Sequence, residues 1–405
     1  MQLIERFLQY VKMDTQSDPG FTQIPSTSKQ KLLGELLVEQ LLKMGVEDAH
    51  LDEYGIVYGT VKGNVDHGKT IGFIAHMDTS PDVSGANVKP RILKQYDGKD
   101  IVLNEELQIV TKTAVFPSLL RHIGKTLIVT DGTTLLGADD KAGIAEIMEL
   151  ISYYHTHPEE KHATIKVAFT PDEEIGHGTD YFDVKKFGAD YAYTLDGSEV
   201  EVVEFENFNA ASCEVTIKGT NTHPGTAKHK MVNSILLAME FQSMLPVFDN
   251  PMYTEGYEGF NHLNEMEGSV EETKLHYIIR NHDKVRFAKQ KEDFEAAAAF
   301  LNRRHPGTVT VAIQDSYANM RESMQDHMYI VENAMKAVEM AELTPRNVAI
   351  RGGTDGARLT YAGLPCPNLG TGGYQYHGRN EYACVEEMEL AVEIMKNIIR
   401  LSVQE

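Results

Sequence analysis

Four short polar clusters in this sequence combine residue types that bind metal and move protons. They are His76-Met77-Asp78, Asp139-Asp140-Lys141, Asp172-Glu173-Glu174 and Asp196-Gly197; a fifth candidate, His377, lies in Tyr376-His377-Gly378. His76 and Asp78 stand two apart at the end of an apolar run, so in an extended chain both face the same side. A metal-binding imidazole commonly gives its other ring N–H to a carboxylate, which fixes the tautomer, and Asp78 is placed for that task. Glu173 and Glu174 can divide their labour, one binding a metal while the other takes a proton from a water the metal has acidified. Asp139-Asp140 reads in two ways: as caps of the helix that follows, since Asp accepts backbone N–H bonds at a helix start, or as a carboxylate set across two metals. Two histidines with several carboxylates and no cysteine ligand suit zinc or a similar divalent cation in a catalytic role. Each cluster alone has an ordinary explanation as a polar strand end, a helix cap or a surface acidic pair; their shared placement is what points to one site.

That placement follows from the elements. Short β-rich runs at 70–76, 165–170, 191–195 and 347–351 each end in a polar cluster, the last in Gly352-Gly353-Thr354-Asp355-Gly356. Helical spacing marks 3–13, 29–44, 143–154, 326–341 and 386–401. Alternating strands and helices predict an α/β catalytic domain with a mostly parallel central sheet flanked by helices. In open α/β sheets ligands bind outside the carboxyl ends of the strands, where these clusters fall. After about residue 208 the pattern changes to strand 213–218, helix 230–244, strand 274–280, helix 284–302 and strand 308–314. The expectation is a catalytic domain of residues 1–207 and 318–405, interrupted by a smaller α+β domain at 208–317. Residues 81–125 read as a long irregular excursion, and the acid run from Glu199 to Glu206 as a solvated segment.

Composition bounds the rest. The chain has 405 residues, 42% of them apolar, enough for a sizeable core. Acidic residues outnumber Lys and Arg 60 to 38, a net charge of −22, which argues against nucleic acid and anionic membranes as partners. Cys213, Cys366 and Cys384 form neither a disulfide framework nor a CxxC zinc pattern. The first ten residues read as an amphipathic helix rather than a signal peptide, and no apolar run reaches the ~20 residues of a membrane span. A cytoplasmic protein is expected.

The clusters and the stretches around them, including IAHMDTSPDVSG, TLLGADDKAGIAEIM, VAFTPDEEIGHG, EFENFNAAS, NTHPGTAKHKMVN and GLPCPNLGTGGYQYHG, resemble zinc metallopeptidase family M20, to which carboxypeptidase G2 and the aminoacylases belong. The resemblance runs from about residue 3 to 400. It implies two zinc ions per subunit, with cobalt or manganese able to substitute. His76, Asp139 and Asp196 would hold one, and Asp139, Glu174 and His377 the other, Asp139 bridging through a residue whose peptide bond is cis. It implies Asp78 as the group orienting His76, and Glu173 as general base toward a hydroxide between the zincs. The implied activity is removal of the N-terminal residue from short peptides, chiefly tripeptides; an N-acyl amino acid amidase or deacylase using the same site is the alternative. The inserted domain resembles the family's dimerisation or lid domain, which implies a homodimer in which His223 reaches the partner's active site. Asn233, Arg280, Arg351 and Gly353 are then candidates for the substrate carboxylate, Arg because its N–H groups form a bidentate fork.

Overall fold

The computed structural model describes residues 2–403. The chain forms two compact units: one from the segments up to Phe205, from Glu322 to Val348 and from Thr354 onward, the other from Glu206–Arg321 with Ala349–Gly353.

The first unit is built on an eight-stranded mixed sheet. Its strands run in the order His50–Leu51, Val57–Val61, Ile165–Thr170, Ile71–His76, Tyr191–Gly197, Asn368–Gly370, Val202–Glu204 and Arg346–Asn347. The middle four pair in parallel, and antiparallel pairs flank them. Parallel strands are covered on both faces, which is why their sequences are continuous apolar runs; every residue of Ile71–His76 is buried. Helix Ala138–Thr156 packs on Ile71–His76 and Tyr191–Gly197, with helices Leu3–Tyr10 and Val385–Ser402 against its outer side. It starts very close to the sheet: a Cβ at Gly143 would lie 2.2 Å from the Leu195 carbonyl oxygen. Glycine there lets the helix start approach the strand that ends in Asp196. The other sheet face is covered by a core of Ile56, Tyr58, Ile74, Phe182, Phe187, Leu359 and Leu364.

A smaller sheet of the same unit places Gly373–Tyr374, Tyr382–Cys384, Leu127–Val129 and Arg91–Leu93 side by side. The irregular stretch 81–125 thus contains short strands, Arg91–Leu93, Ile101–Asn104 and Ile109–Thr111, each too brief to leave a periodic signal. The acid run is corrected as well. Val202–Glu204 is a strand of the main sheet with Val202 and Val203 buried, and the flanking Glu199 and Glu201 pair with Arg121 and Arg346. The strand read at 347–351 shrinks to Arg346–Asn347 and an isolated bridge at Ile350.

The second unit is a four-stranded antiparallel sheet, ordered Phe260–Gly268, Glu272–Asn281, Asn209–Lys218, Val309–Tyr317. Helices Ser234–Met244 and Lys284–Arg304 pack on it. Alternation in Asn209–Lys218 sends Cys213, Val215 and Ile217 into a core shared with Phe241, Tyr277, Phe294 and Leu301. Asp283 caps the longer helix by accepting from the Arg286 N–H. Among the described residues no helix is long and apolar enough to cross a membrane.

Candidate metal centre

The parallel register sets His76 beside Thr170 on neighbouring strands, so the polar clusters that follow these strands gather at one edge of the sheet. The start of helix Ala138–Thr156 completes the group. There Gly137, at φ 83°, turns the chain in the left-handed region that favours glycine. Asp139 and Asp140 are non-helical, and the peptide bond between them is cis.

Asp139 sits between the two histidines. Its Oδ1 is 2.8 Å from His76 Nε2 and its Oδ2 3.2 Å from His377 Nε2. Asp196 Oδ1 approaches the same His76 nitrogen at 3.5 Å, and Glu174 Oε2 the same His377 nitrogen at 2.9 Å. Asp140 is turned the other way: its Oδ2 accepts from the His76 backbone N–H and its Oδ1 from that of Gly143. Asp78 is fully buried and lies under the group. Its Oδ1 is 3.3 Å from His76 Nδ1 and accepts from the Glu173 N–H, while its Oδ2 accepts from the Glu174 N–H. Asp78 therefore holds the imidazole, through its carbonyl oxygen at 3.1 Å with its carboxylate beside it, and its carboxylate holds the turn that carries the glutamate pair. Asp172, at φ 56°, anchors that turn from outside, accepting from Ser26 and Gln30. Tyr376 donates to the Gly197 carbonyl, tying the loop of His377 to the strand end of Asp196.

The electrostatics are those of crowded carboxylates. Burial, then repulsion from Asp196, pushes the Glu173 carboxyl well up. Burial and Asp139 raise Glu174 to about 8, against the pull of His377. Burial alone would lower His76, but Asp139, Asp196 and Asp78 outweigh it and hold the imidazole well above its ordinary value. Bonds to Asp139 and Glu174 lift His377 to about 11. Among the described residues no Lys or Arg pairs with Asp139, Asp140, Glu173, Glu174 or Asp196, and Glu174 Oε1 is buried without a hydrogen-bond partner. Crowded carboxylates that outnumber the two imidazoles facing them call for further positive charge. His76, Asp140 and Asp196, and His76, Asp139 and Glu174, each bring ligand atoms within 4.8 Å of one another. The donor set, two imidazoles and several carboxylates, fits divalent cations of the zinc type.

The remaining predicted residues lie in the second unit. His223 is exposed and accepts from the Gly225 N–H. Asn233 caps helix Ser234–Met244 through its Oδ1. Arg280 donates through Nη1 to the Ala211 and Ile279 carbonyls and lies over the Tyr317 ring. Arg351 clasps the loop 254–258, donating to the Thr254, Gly256 and Glu258 carbonyls. Gly353 packs against Tyr317 so closely that a Cβ would lie 3.0 Å from the ring. Sequence reasoning missed Glu381, which accepts from three N–H groups of the Asp139 loop; it is a single acid whose neighbours come from a distant segment. Asp355, noted only as part of the 352–356 cluster, is buried and accepts from Thr170.

Residues 131–401 match Peptidase family M20/M25/M40. The chain belongs to this family. It is 54% identical over 403 residues to peptidase T of Alkaliphilus oremlandii (strain OhILAs), covering 98% of each chain. Its fold is that of aminopeptidase PepT from Bacillus cereus ATCC 10987, with a TM-score of 0.78 at 24% identity over 99% of this chain and 98% of that one. A tripeptidase from Staphylococcus aureus subsp. aureus Mu50 superposes equally well, with a TM-score of 0.79 at 23% identity over 100% and 98%.

Proposed function

We propose that this protein is a metal-dependent aminopeptidase that hydrolyses the first peptide bond of short peptides, chiefly tripeptides. The observation that carries the reading is Asp139, whose two oxygens face His76 on one side and His377 on the other. Full-length similarity to peptidase T supports the substrate class.

In this reading His76, Asp139 and Asp196 hold one divalent cation, and Asp139, Glu174 and His377 a second. Both are zinc, replaceable by cobalt or manganese. Bound there, the cations polarise the scissile carbonyl and bring the pKa of a water to roughly 7. Glu173 takes a proton from the attacking water as the C–O bond forms. It then gives that proton to the leaving amine nitrogen as the C–N bond breaks, releasing the first amino acid. Its place on the turn held by Asp78, next to Glu174, suits a group that accepts and returns a proton at the scissile bond. Asp78 keeps His76 and the Glu173 turn in register.

The first unit, read from the sequence as 1–207 and 318–405, is the catalytic domain; the second, read as 208–317 and joined by Ala349–Gly353, is the lid and dimerisation domain. His223 serves the partner's site in a homodimer, donating to the developing oxyanion. Exposed Leu236 and Met239 on helix Ser234–Met244 support an apolar interface. Arg280 is the best candidate for the substrate carboxylate. Its bonds leave through Nη1 alone, whereas Arg351 is engaged by a loop. Asn233 and Gly353 line the same role. Three buried, unpaired thiols support a reducing, cytoplasmic setting.

The test is hydrolysis of a free tripeptide beside its N-acetylated form and the matching dipeptide, with and without chelator. Cleavage of the free tripeptide alone, with release of its first residue and loss on chelation, is the expected result. Cleavage of the acetylated compound instead would overturn the aminopeptidase reading in favour of a deacylase.

A further inference from the structure

The chain carries His377 on a hairpin between Gly373–Tyr374 and Tyr382–Cys384, and Asp139 on the loop that follows Leu127–Val129. The two are neighbours because Tyr382–Cys384 pairs with Leu127–Val129, Tyr382 opposite Val129. Glu381 is the residue just before that pairing begins. Its side chain is buried and reaches across to the loop, where Oε2 accepts from the N–H groups of Leu136 at 2.7 Å and Gly137 at 2.8 Å. Oε1 accepts from the Asp139 N–H at 3.1 Å. The left-handed turn at Gly137 makes this convergence possible, since successive N–H groups in such a turn point into one concavity that suits an anion. The anion here is a side chain from the opposite ligand-bearing segment.

We propose that Glu381 is a positioning residue that locks the Asp139 loop to the His377 hairpin and so sets the spacing of the two cation positions. The inference rests on the metal-centre reading above. It follows from what each bond restrains. The Asp139 N–H bond fixes the backbone from which the bridging carboxylate projects, and the bonds to Leu136 and Gly137 fix the turn leading into it. Because Glu381 stands four residues from His377 on the same hairpin, a shift of either ligand would strain the same carboxylate. Three N–H bonds converging on the two oxygens of one buried side chain leave the loop little freedom. Glu381 touches neither substrate nor metal; it acts through Asp139 and His377.

The experiment compares metal binding by wild type and Glu381→Gln, using chelator competition for zinc and the visible spectrum of the cobalt-loaded protein. Glutamine keeps the shape but offers one accepting oxygen where three N–H groups converge. We expect a fold indistinguishable from wild type by circular dichroism, zinc affinity weaker by ~10–100-fold, and an altered cobalt spectrum at equal occupancy. A variant of lower thermal stability but with wild-type affinity and spectrum would overturn the proposal, because a purely structural role moves only the melting temperature. Should Glu381→Gln be insoluble, Glu381→Asp, which keeps the charge but retracts it by one methylene, decides by the same criterion. The readout is independent of peptide cleavage. If wild type binds no divalent cation, the metal-centre reading fails; if wild type binds and the variant binds equally, only the role of Glu381 fails.

Discussion

The first unit contains two gatherings of histidine and carboxylate that look alike as lists of residues and differ in their charge balance. In one, His122, Cys384 and Glu387 are all buried with ligand atoms close together. Glu387 Oε1 receives Lys125 Nζ at 2.7 Å and His122 Nε2 at 3.1 Å, and its Oε2 receives the Tyr374 hydroxyl. Burial would raise this carboxyl, but those three partners outweigh it and bring it down to about 2. In the other, around Asp139, the acids have only two imidazoles and their own backbone to lean on, and burial drives Glu173 and Glu174 upward. A buried acid answered by a lysine and a tyrosine is a finished structural network. Buried acids answered by nothing but each other and two imidazoles form a site for an external cation. The two imidazoles hold Asp139 itself down, so what separates the two clusters is the lysine and tyrosine that answer Glu387 and have no counterpart, among the described residues, at Glu173 and Glu174.

The comparison breaks most readily at the catalytic end. Glu173→Ala should retain bound metal and lose about 10²–10⁴-fold in kcat, read by metal analysis and steady-state hydrolysis of a tripeptide; wild-type turnover would remove Glu173 from the mechanism. Next in size is the structural network. Glu387→Gln should cost about 3 kcal/mol at neutral pH, the equivalent of a carboxyl lowered from 4.5 to about 2, with metal content unchanged. The sign follows from the depressed value. The stabilisation is complete above about pH 4.5 and disappears as pH falls through about 2, so the gap between wild type and variant in urea unfolding should narrow from pH 5 to pH 3. A gap that ignores pH would mean the charge is not what stabilises. The smallest effect sharpens the contrast. Asp78→Asn leaves one accepting oxygen for the Glu173 and Glu174 N–H groups and should weaken metal binding by ~10–100-fold, whereas Glu387→Gln should leave it untouched. Equal metal affinities in the two variants would erase the distinction drawn here.

What could be read from the sequence was whatever depends on neighbours along the chain. The strand ends bearing His76, Glu174 and Asp196 were legible because an apolar run followed by clustered polar residues is a local pattern. The placing of Asp139 ahead of Asp140 came only from resemblance. In space the two differ by direction, one toward both imidazoles and the other toward backbone N–H groups, and no spacing rule reports that. Glu381 was invisible for a related reason. Its three donors lie more than two hundred residues upstream, and only the pairing of Tyr382 with Val129 brings them together. Arg351 shows a partner set that spacing does not report. A guanidinium in a glycine-rich loop invites a role with substrate, yet its bonds go to carbonyls of the loop 254–258. The short strands within 81–125 and at Val202–Glu204 escaped because a few residues cannot establish a period of two.

The order in which the metal-site donors occur along the chain has a consequence for synthesis. His76, Asp139, Glu174 and Asp196 all precede the second unit, while His377 and its neighbour Glu381 follow it. A ribosome adding about 5–20 residues per second therefore makes four of the proposed donors before the second unit and the fifth only after it. Until the last hairpin emerges and pairs with Leu127–Val129, the bridging loop lacks its partner and the second cation position lacks its imidazole. With the proposed donors in this order, the site cannot close until the segment that follows the second unit has been made.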